Sequence, residues 1–545
     1  MTAGPFCIDC HPNPLFFGDR RFHQAPAAQI RAESPFIYLK ESIAAAEAEL
    51  YNVYISKVYF SNVYFSERRI MANNAFYGRS EELSSLNFMY DSHSFEMMVI
   101  YGRRRIGKTT LINKFCENKN VIFYTGIEGR EKENRKGLGK TVFQYFHPGM
   151  AEVSFPSFSD ILSFISDSIE SGPSDRRLLI VLDEYPYIAR TSPEFASVLQ
   201  REIDNRWNRL NIMLILSGSS ITFMEDEVLS SKSPLFGRRT GQIDLRPFDY
   251  LTSALFVPEY SAEDKAIVYG VTGGVPKYLS MIDPAVSLKD NLVRQFFSAS
   301  GYFFEEPKNM LREEFRDVPL YHSIISAIAR GNSALSEICS KTGLDSPVVS
   351  PALKKLTAIR VIDKEVPILN DSNKRLHRYV IRDSMFRFWF RFVPEGINLI
   401  ERGYGRTYYD QAVQPHLHEY MGTVFEEICR EYTFLQGMKG NLGMMISEIG
   451  KWRGSDPLRK CQTDIDVVAI SKTEKEAVIG ECKFRNERFG KQELDTLLDR
   501  ARLIRGYHVI HFLLFSLSGF TDAVMEEIGK TDQFTAADID ELYHI

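Results

Sequence analysis

Two short segments of the chain combine residue types that act on phosphate groups. Residues 102–110 read GRRRIGKTT, in which two glycines frame a loop that ends in a lysine and two hydroxyl side chains. Residues 480–484 read GECKF, in which an acid and a lysine lie two positions apart. The first pattern is typical of a loop that cradles nucleotide phosphates, and the second could place a divalent metal ion beside a cation.

The first segment contains the complete G-x-x-x-x-G-K-[ST] pattern. The apolar residues 97–101 before it indicate a buried strand, and the residues after it have a helical pattern. In that context backbone N–H groups and a helix N-terminus favour a bound anion. Lys108 would reach the β- and γ-phosphates, and Thr109 would ligate Mg²⁺. The predicted nucleotide-binding residues of this loop are Gly102, Arg103, Arg104, Arg105, Ile106, Gly107, Lys108, Thr109 and Thr110.

Three later segments predict the partners of this loop. RLLIVLDE is an apolar strand that ends in Asp183, expected to hold Mg²⁺, and Glu184, expected to orient or deprotonate the attacking water. At the tip of LILSGSS, Ser219 could sense the γ-phosphate or could simply form a turn. In SPLFGRRTG, Arg238 and Arg239 could stabilise transition-state charge or could form surface ion pairs.

These segments, together with YGVTGGVPKYL at residues 269–279, resemble a prokaryotic ATPase group common in archaea, within the AAA+/STAND division of P-loop proteins. The resemblance covers residues 74–300. It implies an α/β P-loop core with a parallel sheet and flanking helices at residues 74–250. A helical lid would follow at residues 251–315, in which Lys277 would be a nucleotide sensor by its position.

The next segment, residues 316–395, has the order helix, helix, helix and hairpin, which is that of a winged helix. Residues 320–385 carry ten Lys/Arg and six Asp/Glu within a chain of net charge −5. Lys354, Lys355 and Arg360 would meet DNA phosphates, although a winged helix can also serve only as a packing module. MFRFWFRFV, which begins at Met385, is interpreted as a core-facing strand or helix.

The GECKF segment lies on the second strand of a predicted hairpin, DIDVVAIS–KTEK–EAVIGECKF. A turn centred on Thr473 and Glu474 places Asp466 opposite Glu481, and Lys483 lies on the same face. Carboxylate oxygens suit Mg²⁺ or Mn²⁺, the metal would activate water, and the lysine would polarise that water. The alternative is a hairpin with cross-strand ion pairs only.

This arrangement resembles the PD-(D/E)XK nuclease fold over residues 415–530, within a predicted restriction-endonuclease-like α/β domain at residues 396–545. The resemblance implies that Glu426, on a helical pattern, is a further metal ligand beside Asp466 and Glu481. The same ATPase group often carries such a domain. Members of this fold also exist as inactive binding modules, so the residues alone do not establish cleavage.

The composition sets the broader class. With 545 residues, 44% hydrophobic and 25% charged, the chain is expected to be a globular protein of several domains. Its acidic balance argues against a wholly basic nucleic-acid coat but leaves room for a basic face. No apolar run reaches the roughly 18–20 residues that span a bilayer, and no secretory signal is evident. A cytoplasmic protein without a membrane partner is therefore expected.

The first residues look unlike the remainder. The seven cysteines are scattered singly except Cys7 and Cys10, so no disulfide scaffold is expected. Those two belong to CIDCH, a haem-attachment spacing that is interpreted as coincidence because that chemistry requires export.

Residues 52–66 repeat a five-residue unit three times, a period of neither helix nor strand. Residues 1–73 are thus a β-rich extension or, as we favour, a translated repeat upstream of a start at Met71.

Together these patterns predict an ATPase coupled to DNA binding or processing through a winged helix and a metal-dependent nuclease-like domain. The expected cofactors are ATP and Mg²⁺, with Mg²⁺ or Mn²⁺ at the C-terminal site. DNA is the expected partner. The oligomeric state stays open between a single copy and a homo-oligomer or a complex with a partner protein, because an Arg238 finger acting in trans requires a neighbour and one acting in cis does not. The alternative is a nucleotide-dependent switch whose nuclease-like domain only binds DNA or protein; a defence or toxin role is a third.

Overall fold

The computed structural model describes residues 76–150, 153–172 and 176–544. The predicted N-terminal extension, with its repeats and the CIDCH segment, lies outside the described residues. Within the part of the chain that is described, no helix is both long and apolar enough to cross a lipid bilayer.

The first sheet is made of parallel strands: β1 (Glu96–Tyr101), β2 (Val121–Thr125), β3 (Leu178–Asp183), β4 (Ile212–Gly218) and β5 (Gly241–Asp244). Their spatial order is β2-β3-β4-β1-β5. β3 and β4 are buried along their whole length, as expected for apolar strands covered on both faces. The carboxyl ends of β1, β3 and β4 meet at one edge, where open parallel sheets bind ligands. The predicted α/β core with a parallel sheet is confirmed.

Helices cover both faces of this sheet because its side chains alternate between two apolar cores. Met97 and Val99 pack into one core, and Met98 and Ile100 into the other. The helices of this layer are Ser80–Tyr90, Lys108–Cys116, Glu131–Phe146, Phe158–Glu170, Tyr185–Thr191 and Phe195–Asn205. Shorter helical segments are Trp207–Arg209, Ile221–Phe223 and Met224–Leu229.

A run of helices follows the sheet. The first group comprises Tyr250–Ala254, Ala262–Thr272, Pro276–Leu279, Leu288–Phe296 and Tyr302–Glu314. We call the last of these the acidic helix, after the glutamates on it. The second group comprises Val318–Ala329, Leu335–Thr342 and Ser346–Ala358, followed by the antiparallel pair β6 (Ile362–Glu365) and β7 (Arg378–Ile381) and the short turn Lys374–Leu376.

The segment MFRFWFRFV forms part of a helix, Ser384–Glu401, which we call the aromatic helix. Its Phe386, Phe388 and Trp389 side chains are buried, in agreement with the core-facing prediction. The domain boundary predicted between residues 395 and 396 falls inside this helix. The reason is that the buried face continues across that position, from Phe392 and Val393 to Gly396 and Ile400.

The C-terminal sheet contains β8 (Glu448–Asp456), β9 (Cys461–Ser471), β10 (Glu476–Lys483), β11 (His508–Ser516) and β12 (Phe534–Asp538) in the order β12-β11-β10-β9-β8. The β9–β10 hairpin pairs Glu476 with Ser471 and Gly480 with Val467, which confirms the predicted register. The helices around it are Leu417–Met438, called the long helix here, Lys491–Arg500, Asp522–Ile528 and Ile539–Leu542. Shorter turns are Gly405–Tyr408, Tyr409–Val413, Gln414–His416 and Ala501–Leu503.

One apolar core joins these C-terminal elements. It extends from Tyr250 in the first helix group through Trp389 in the aromatic helix to Phe425 in the long helix and Phe515 in β11. The helical segments and one face of the C-terminal sheet therefore share one hydrophobic core rather than forming separate domains joined by linkers. The other face of that sheet has a separate core, which includes Ile479 and Leu497.

Candidate nucleotide site and C-terminal acidic site

The P-loop, residues 102–109, connects β1 to the helix Lys108–Cys116. Gly102 has no room for a side chain, because an added Cβ would lie 2.6 Å from the carbonyl oxygen of Leu245. The buried Lys108 ammonium donates to the carbonyl oxygens of Gly102 at 3.1 Å and Arg103 at 3.2 Å. Burial lowers the pKa of Lys108 to about 8, although neighbouring carboxylates oppose that shift. The loop thus holds its lysine inward, over its own backbone.

The two predicted magnesium ligands of this site lie in contact. The Thr109 hydroxyl donates to a carboxylate oxygen of Asp183 at 2.8 Å, although 74 positions separate them in the sequence. Asp183 is buried at the end of β3. This hydroxyl and carboxylate are hard oxygen donors, which are the ligands that Mg²⁺ prefers, so the residues present fit the ion.

The structure also joins Glu184 to Ser219. The Glu184 carboxylate accepts from the Ser219 hydroxyl at 2.8 Å and from the Ser219 backbone N–H at 3.3 Å. Glu184 has a positive φ of 48°, an uncommon conformation for a residue other than glycine. Such conformations cluster at functional sites. Ser219, expected as a γ-phosphate sensor or a turn, is placed to fix the orientation of the Glu184 carboxylate.

The three P-loop arginines direct their side chains to acids that lie C-terminal to the sheet. Their pairs are Arg103 with Asp383, Arg104 with Glu313 and Glu314 at 3.3 Å, and Arg105 with Glu306 at 2.5 Å and Glu313 at 3.4 Å. All of these glutamates lie on the acidic helix, and Asp383 precedes the aromatic helix. The guanidinium groups are thus engaged by carboxylates, which leaves the backbone N–H groups as the expected contribution of these residues to phosphate binding.

The remaining loop residues divide between core and surface. Ile106 is fully buried in the core that also contains Leu245, and Thr110 is exposed on the following helix. Lys277 touches the loop through its backbone, whose N–H donates to the Arg105 carbonyl at 3.3 Å. Its ammonium lies 5.7 Å from the centre of the Tyr302 ring. The segment around Lys277 therefore rests on the P-loop.

Arg238 forms a surface ion pair, which was the alternative to a catalytic arginine. Its guanidinium donates to both carboxylate oxygens of Asp204, at 3.0 and 2.8 Å. Arg239 lies beside it, half-buried. Because a forked pair occupies the Arg238 guanidinium, this arginine would have to release Asp204 before it could contact a phosphate.

The C-terminal hairpin brings together the predicted carboxylates of β9 and β10. Asp466 accepts from the Cys482 backbone N–H at 3.1 Å, so it lies against the strand that carries Glu481. Glu481 in turn accepts from Lys483 at 2.5 Å and from Arg500 at 3.0 Å. The sequence predicted the first of these cations and missed the second.

A lysine of β8 occupies the space between the acids. The Lys451 ammonium lies 3.0 Å from Glu426, 3.1 Å from Asp464 and 3.3 Å from Asp466. Among residues 76–150, 153–172 and 176–544, no three acidic, histidine or cysteine side chains lie close enough to hold a metal ion. An internal cation therefore lies between Glu426 and Asp466, two members of the predicted metal trio that also includes Glu481.

The acidic site has perturbed protonation. Burial and the neighbouring Asp466 charge raise the pKa of Glu426 to about 7 and raise that of Glu481 as well. Burial alone would lower the pKa of Lys451, but the carboxylates around it reverse the sign and raise it. The cluster thus keeps its lysine charged and favours a protonated Glu426 near neutral pH.

The predicted DNA-contacting residues do not share one environment. Lys354 and Lys355 are exposed on the helix Ser346–Ala358. Arg360 instead donates to Asp244, at the end of β5, at 2.8 Å. Arg360 therefore connects this segment to the first sheet, and its expected contact with a DNA phosphate is not supported, since a carboxylate already neutralises its charge.

A P-loop at the edge of a parallel sheet, with a buried acid touching its hydroxyl residue, defines a P-loop ATPase. Residues 76–282 match a family described as an ATPase domain predominantly from Archaea. Residues 389–495 match a second family, of archaeal and bacterial proteins of unknown function. The chain belongs to this archaeal-type ATPase family: an uncharacterised protein of Methanocaldococcus jannaschii is 30% identical over 413 residues, 75% of this chain and 88% of that protein.

Other relatives cover smaller parts or are more distant. An uncharacterised ATP-binding protein of Methanocaldococcus jannaschii is 46% identical over 46 residues, 8% of this chain and 78% of that protein. A Walker-type ATPase of Pyrococcus abyssi has a TM-score of 0.45 at 21% identity, covering 58% of this chain and 96% of that one. The ORC2 protein of Aeropyrum pernix has a TM-score of 0.40 at 13% identity, covering 60% and 96%.

Proposed function

We propose that ATP binding and hydrolysis at the P-loop control a DNA-processing unit formed by residues 316–545. The observation that carries the nucleotide part is the 2.8 Å contact between Thr109 and Asp183. It supports a site in which the loop hydroxyl and the strand acid share one magnesium ion. Bound there, the ion would neutralise charge on the phosphates.

The residues of this chain have distinct roles in the proposed reaction. Lys108 exchanges its backbone carbonyl partners for phosphate oxygens, and its charge stabilises the transferred group. Glu184, oriented by Ser219, takes a proton from the attacking water. Arg238 or Arg239 of a second copy completes charge stabilisation in a homo-oligomer, once Arg238 has left its carboxylate partner.

The DNA-binding part of the proposal rests on the three helices and hairpin of residues 318–381. This is the element order of a winged helix, whose third helix enters the DNA major groove. Lys354 and Lys355 are exposed on that helix and would contact phosphates. Two such contacts position a protein on DNA without reading its sequence.

The nuclease-like part of the proposal rests on the register of the β9–β10 hairpin. The paired register runs as far as Gly480 with Val467, the residues next to Glu481 and Asp466. Lys483 and Glu426 complete a PD-(D/E)XK-like set. Once Lys451 had left the space between Glu426 and Asp466, the three carboxylates could hold a metal ion that would supply an activated water for phosphodiester hydrolysis, and Lys483 would orient that water.

A second function is favoured by the position of Lys451. Its ammonium lies between Glu426 and Asp466, where a metal ion would have to bind. In this alternative the C-terminal unit is a nucleotide-dependent switch that binds DNA or protein without cutting. In this arrangement Lys451 partners the buried carboxylates in place of a metal ion.

The ATPase proposal is tested by Lys108→Ala, with Lys114→Ala as the matched control. Lys114 lies on the same helix, where it forms an exposed ion pair with Glu117. Calorimetric ATP titration and phosphate release should show loss of binding and turnover in the first variant only. Hydrolysis at the wild-type rate in Lys108→Ala would refute the site.

The two C-terminal functions are separated by plasmid cleavage with Mg²⁺ or Mn²⁺, with and without ATP. Nuclease function predicts cutting that Lys483→Ala abolishes while ATP hydrolysis persists. Lys472→Ala is the control, because that lysine lies at the far end of the hairpin in an exposed pair with Glu448. No cutting under any nucleotide or metal condition supports the switch.

A further inference from the structure

The first arginine of the P-loop is held by an acid from a distant part of the chain. Arg103 is 6% exposed, and its guanidinium pairs with the carboxylate of Asp383, which is 4% exposed. The guanidinium also lies over the Tyr278 ring, 5.9 Å from its centre. Removing either partner of a buried pair leaves an uncompensated charge, so the two residues are constrained to stay together.

Asp383 acts on two elements at once. One oxygen of its carboxylate accepts from the Phe386 backbone N–H at 2.9 Å and caps the aromatic helix. The other oxygen meets Arg103. The start of the aromatic helix and the P-loop are therefore tied through a single side chain.

Arg103 also has two partners, one for its backbone and one for its side chain. Its backbone carbonyl accepts from the Lys108 ammonium at 3.2 Å, while its side chain reaches Asp383. When phosphate oxygens replace the loop carbonyls as partners of Lys108, the peptide of Arg103 loses that hydrogen bond. Any rotation of this peptide is transmitted to the buried pair, because the side chain has no solvent-exposed position to relax into.

The other two loop arginines also pair with acids, but their ion pairs are more exposed to solvent than that of Arg103. The Arg104 side chain is 30% exposed, and its partner Glu313 is 38% exposed. Exposed pairs contribute little because water screens them. Arg105 and Glu306 form a more buried contact with the acidic helix. Ion pairs thus connect the P-loop to the residue that caps the aromatic helix and to the acidic helix, and the most buried of them is that of Arg103.

We propose that Asp383 is a positioning residue of the ATP site, which couples nucleotide occupancy to the N-terminus of the aromatic helix. This inference rests on the proposed ATP site. By holding Arg103, Asp383 sets the direction of the P-loop peptide groups that face the phosphates. Because binding linkage is reciprocal, bound nucleotide also stabilises the cap of the aromatic helix.

The test uses the full chain and Asp383→Asn. An asparagine retains a side-chain oxygen for the helix cap but lacks the charge that holds Arg103. We expect the Kd for a non-hydrolysable ATP analogue to rise about 5- to 150-fold, the usual range for coupled sites. Asp317→Asn is the matched control, because Asp317 caps the helix Val318–Ala329 from an exposed position without touching the P-loop. Its Kd should equal that of the wild type.

A structural role alone would not produce the second readout, hydrogen exchange of the first turn of the aromatic helix, residues 384–388. The ATP analogue should slow this exchange in the wild type and in Asp317→Asn, and should leave it unchanged in Asp383→Asn. Arg103→Gln combined with Asp383→Asn should lose less affinity than the two single changes together, because two neutral amides can pair. If Asp383→Asn fails to fold, this double variant takes its place, and nucleotide should then leave the hydrogen exchange of residues 384–388 unchanged in it.

The outcomes that overturn the inference are distinct from those that overturn the proposed function. Wild-type affinity in Asp383→Asn, or tighter binding, would show that Asp383 does not position the loop, while the Lys108-dependent site would stand. Equal losses in Asp317→Asn and Asp383→Asn would also overturn the coupling. If the unmodified chain does not bind the analogue, the proposed ATP site itself is wrong, and the inference falls with it.

Discussion

Two glutamates about one turn apart on the long helix, Glu427 and Glu431, should respond in opposite directions to removal of their charge. Burial, followed by the Asp249 charge, raises the pKa of Glu431 from 4.5 to about 7. One pKa unit corresponds to about 1.4 kcal/mol. The ionised carboxylate therefore costs the folded state about 3 kcal/mol, as an upper value. Glu431→Gln should recover most of this free energy of unfolding at pH 8, since glutamine can still accept the Tyr250 backbone hydrogen bond.

The pH dependence gives the sign of this effect. The folded-state pKa of Glu431 lies above its unfolded value, so the folded protein binds the proton more tightly. Stability due to this group is complete below about pH 4.5 and is lost as the pH rises through about 7. The advantage of Glu431→Gln should thus be largest at pH 8 and should close as the pH falls to 5.

The neighbouring residue provides the control. Burial opposes ionisation of Glu427 too, but Arg387 donates to both of its carboxylate oxygens, at 2.9 and 3.3 Å, and lowers the pKa of this acid. Glu427→Gln should therefore destabilise the protein at pH 8. Urea unfolding of both variants at pH 5 and 8 is the assay. If Glu431→Gln is as destabilising as Glu427→Gln at pH 8, the assignment of a costly buried charge is refuted.

Three further changes test the two sites. Glu184→Gln should lower the ATP turnover rate about 100- to 10,000-fold, the range for a general base, and should leave ATP affinity unchanged because the amide still accepts from Ser219. Gly102→Ala should abolish ATP binding in titration calorimetry, because the new Cβ would lie 2.6 Å from the carbonyl oxygen of Leu245. Lys451→Met should lower the free energy of unfolding at pH 8 by about 3–5 kcal/mol, because it leaves buried carboxylates unpaired. Mn²⁺ should restore part of that loss if these carboxylates can bind metal.

Each of these changes has a matched comparison. Gly422→Ala, in the long helix, has open space around the added methyl and should leave ATP binding intact. Lys472→Met removes an exposed cation of the same hairpin, where water screens its pair, and should lower the free energy of unfolding far less than Lys451→Met. Equal losses of ATP binding for the two glycine variants, or equal losses of stability for the two lysine variants, would contradict the packing and burial arguments. Normal turnover by Glu184→Gln would exclude it as the base.

Sequence patterns sufficed where the relevant interactions are local. The P-loop is a continuous motif between a strand and a helix, and its structure follows from that order. The β9–β10 hairpin was equally predictable, because its short turn fixes the register and therefore the pairing that leads to Asp466 and Glu481. The acid at the end of β3 was predicted from an apolar strand that lies at the expected distance after the P-loop.

Contacts between distant segments could not be read in the same way. Lys451 lies on β8, and a register shift between Gly450 and Trp452 interrupts its pairing with β9. Because one residue of slip moves every side chain to the other face, no sequence spacing reveals that Lys451 faces the acids. Asp383 was hidden for a different reason: it looks like an ordinary helix cap, and its second partner is 280 positions away.

The three P-loop arginines did contain a signal for their partners. Three consecutive cations repel one another, so such a run favours acids elsewhere in the fold as partners. The acidic helix reads YFFEEPKNMLREE, in which Glu306 and Glu313 lie seven residues apart and therefore on one helix face. Arg105 contacts both of these glutamates. The run of arginines and the helical spacing of the glutamates together indicate contact between the P-loop and the acidic helix. The buried Arg103–Asp383 contact has no such pattern and is seen only in the folded structure.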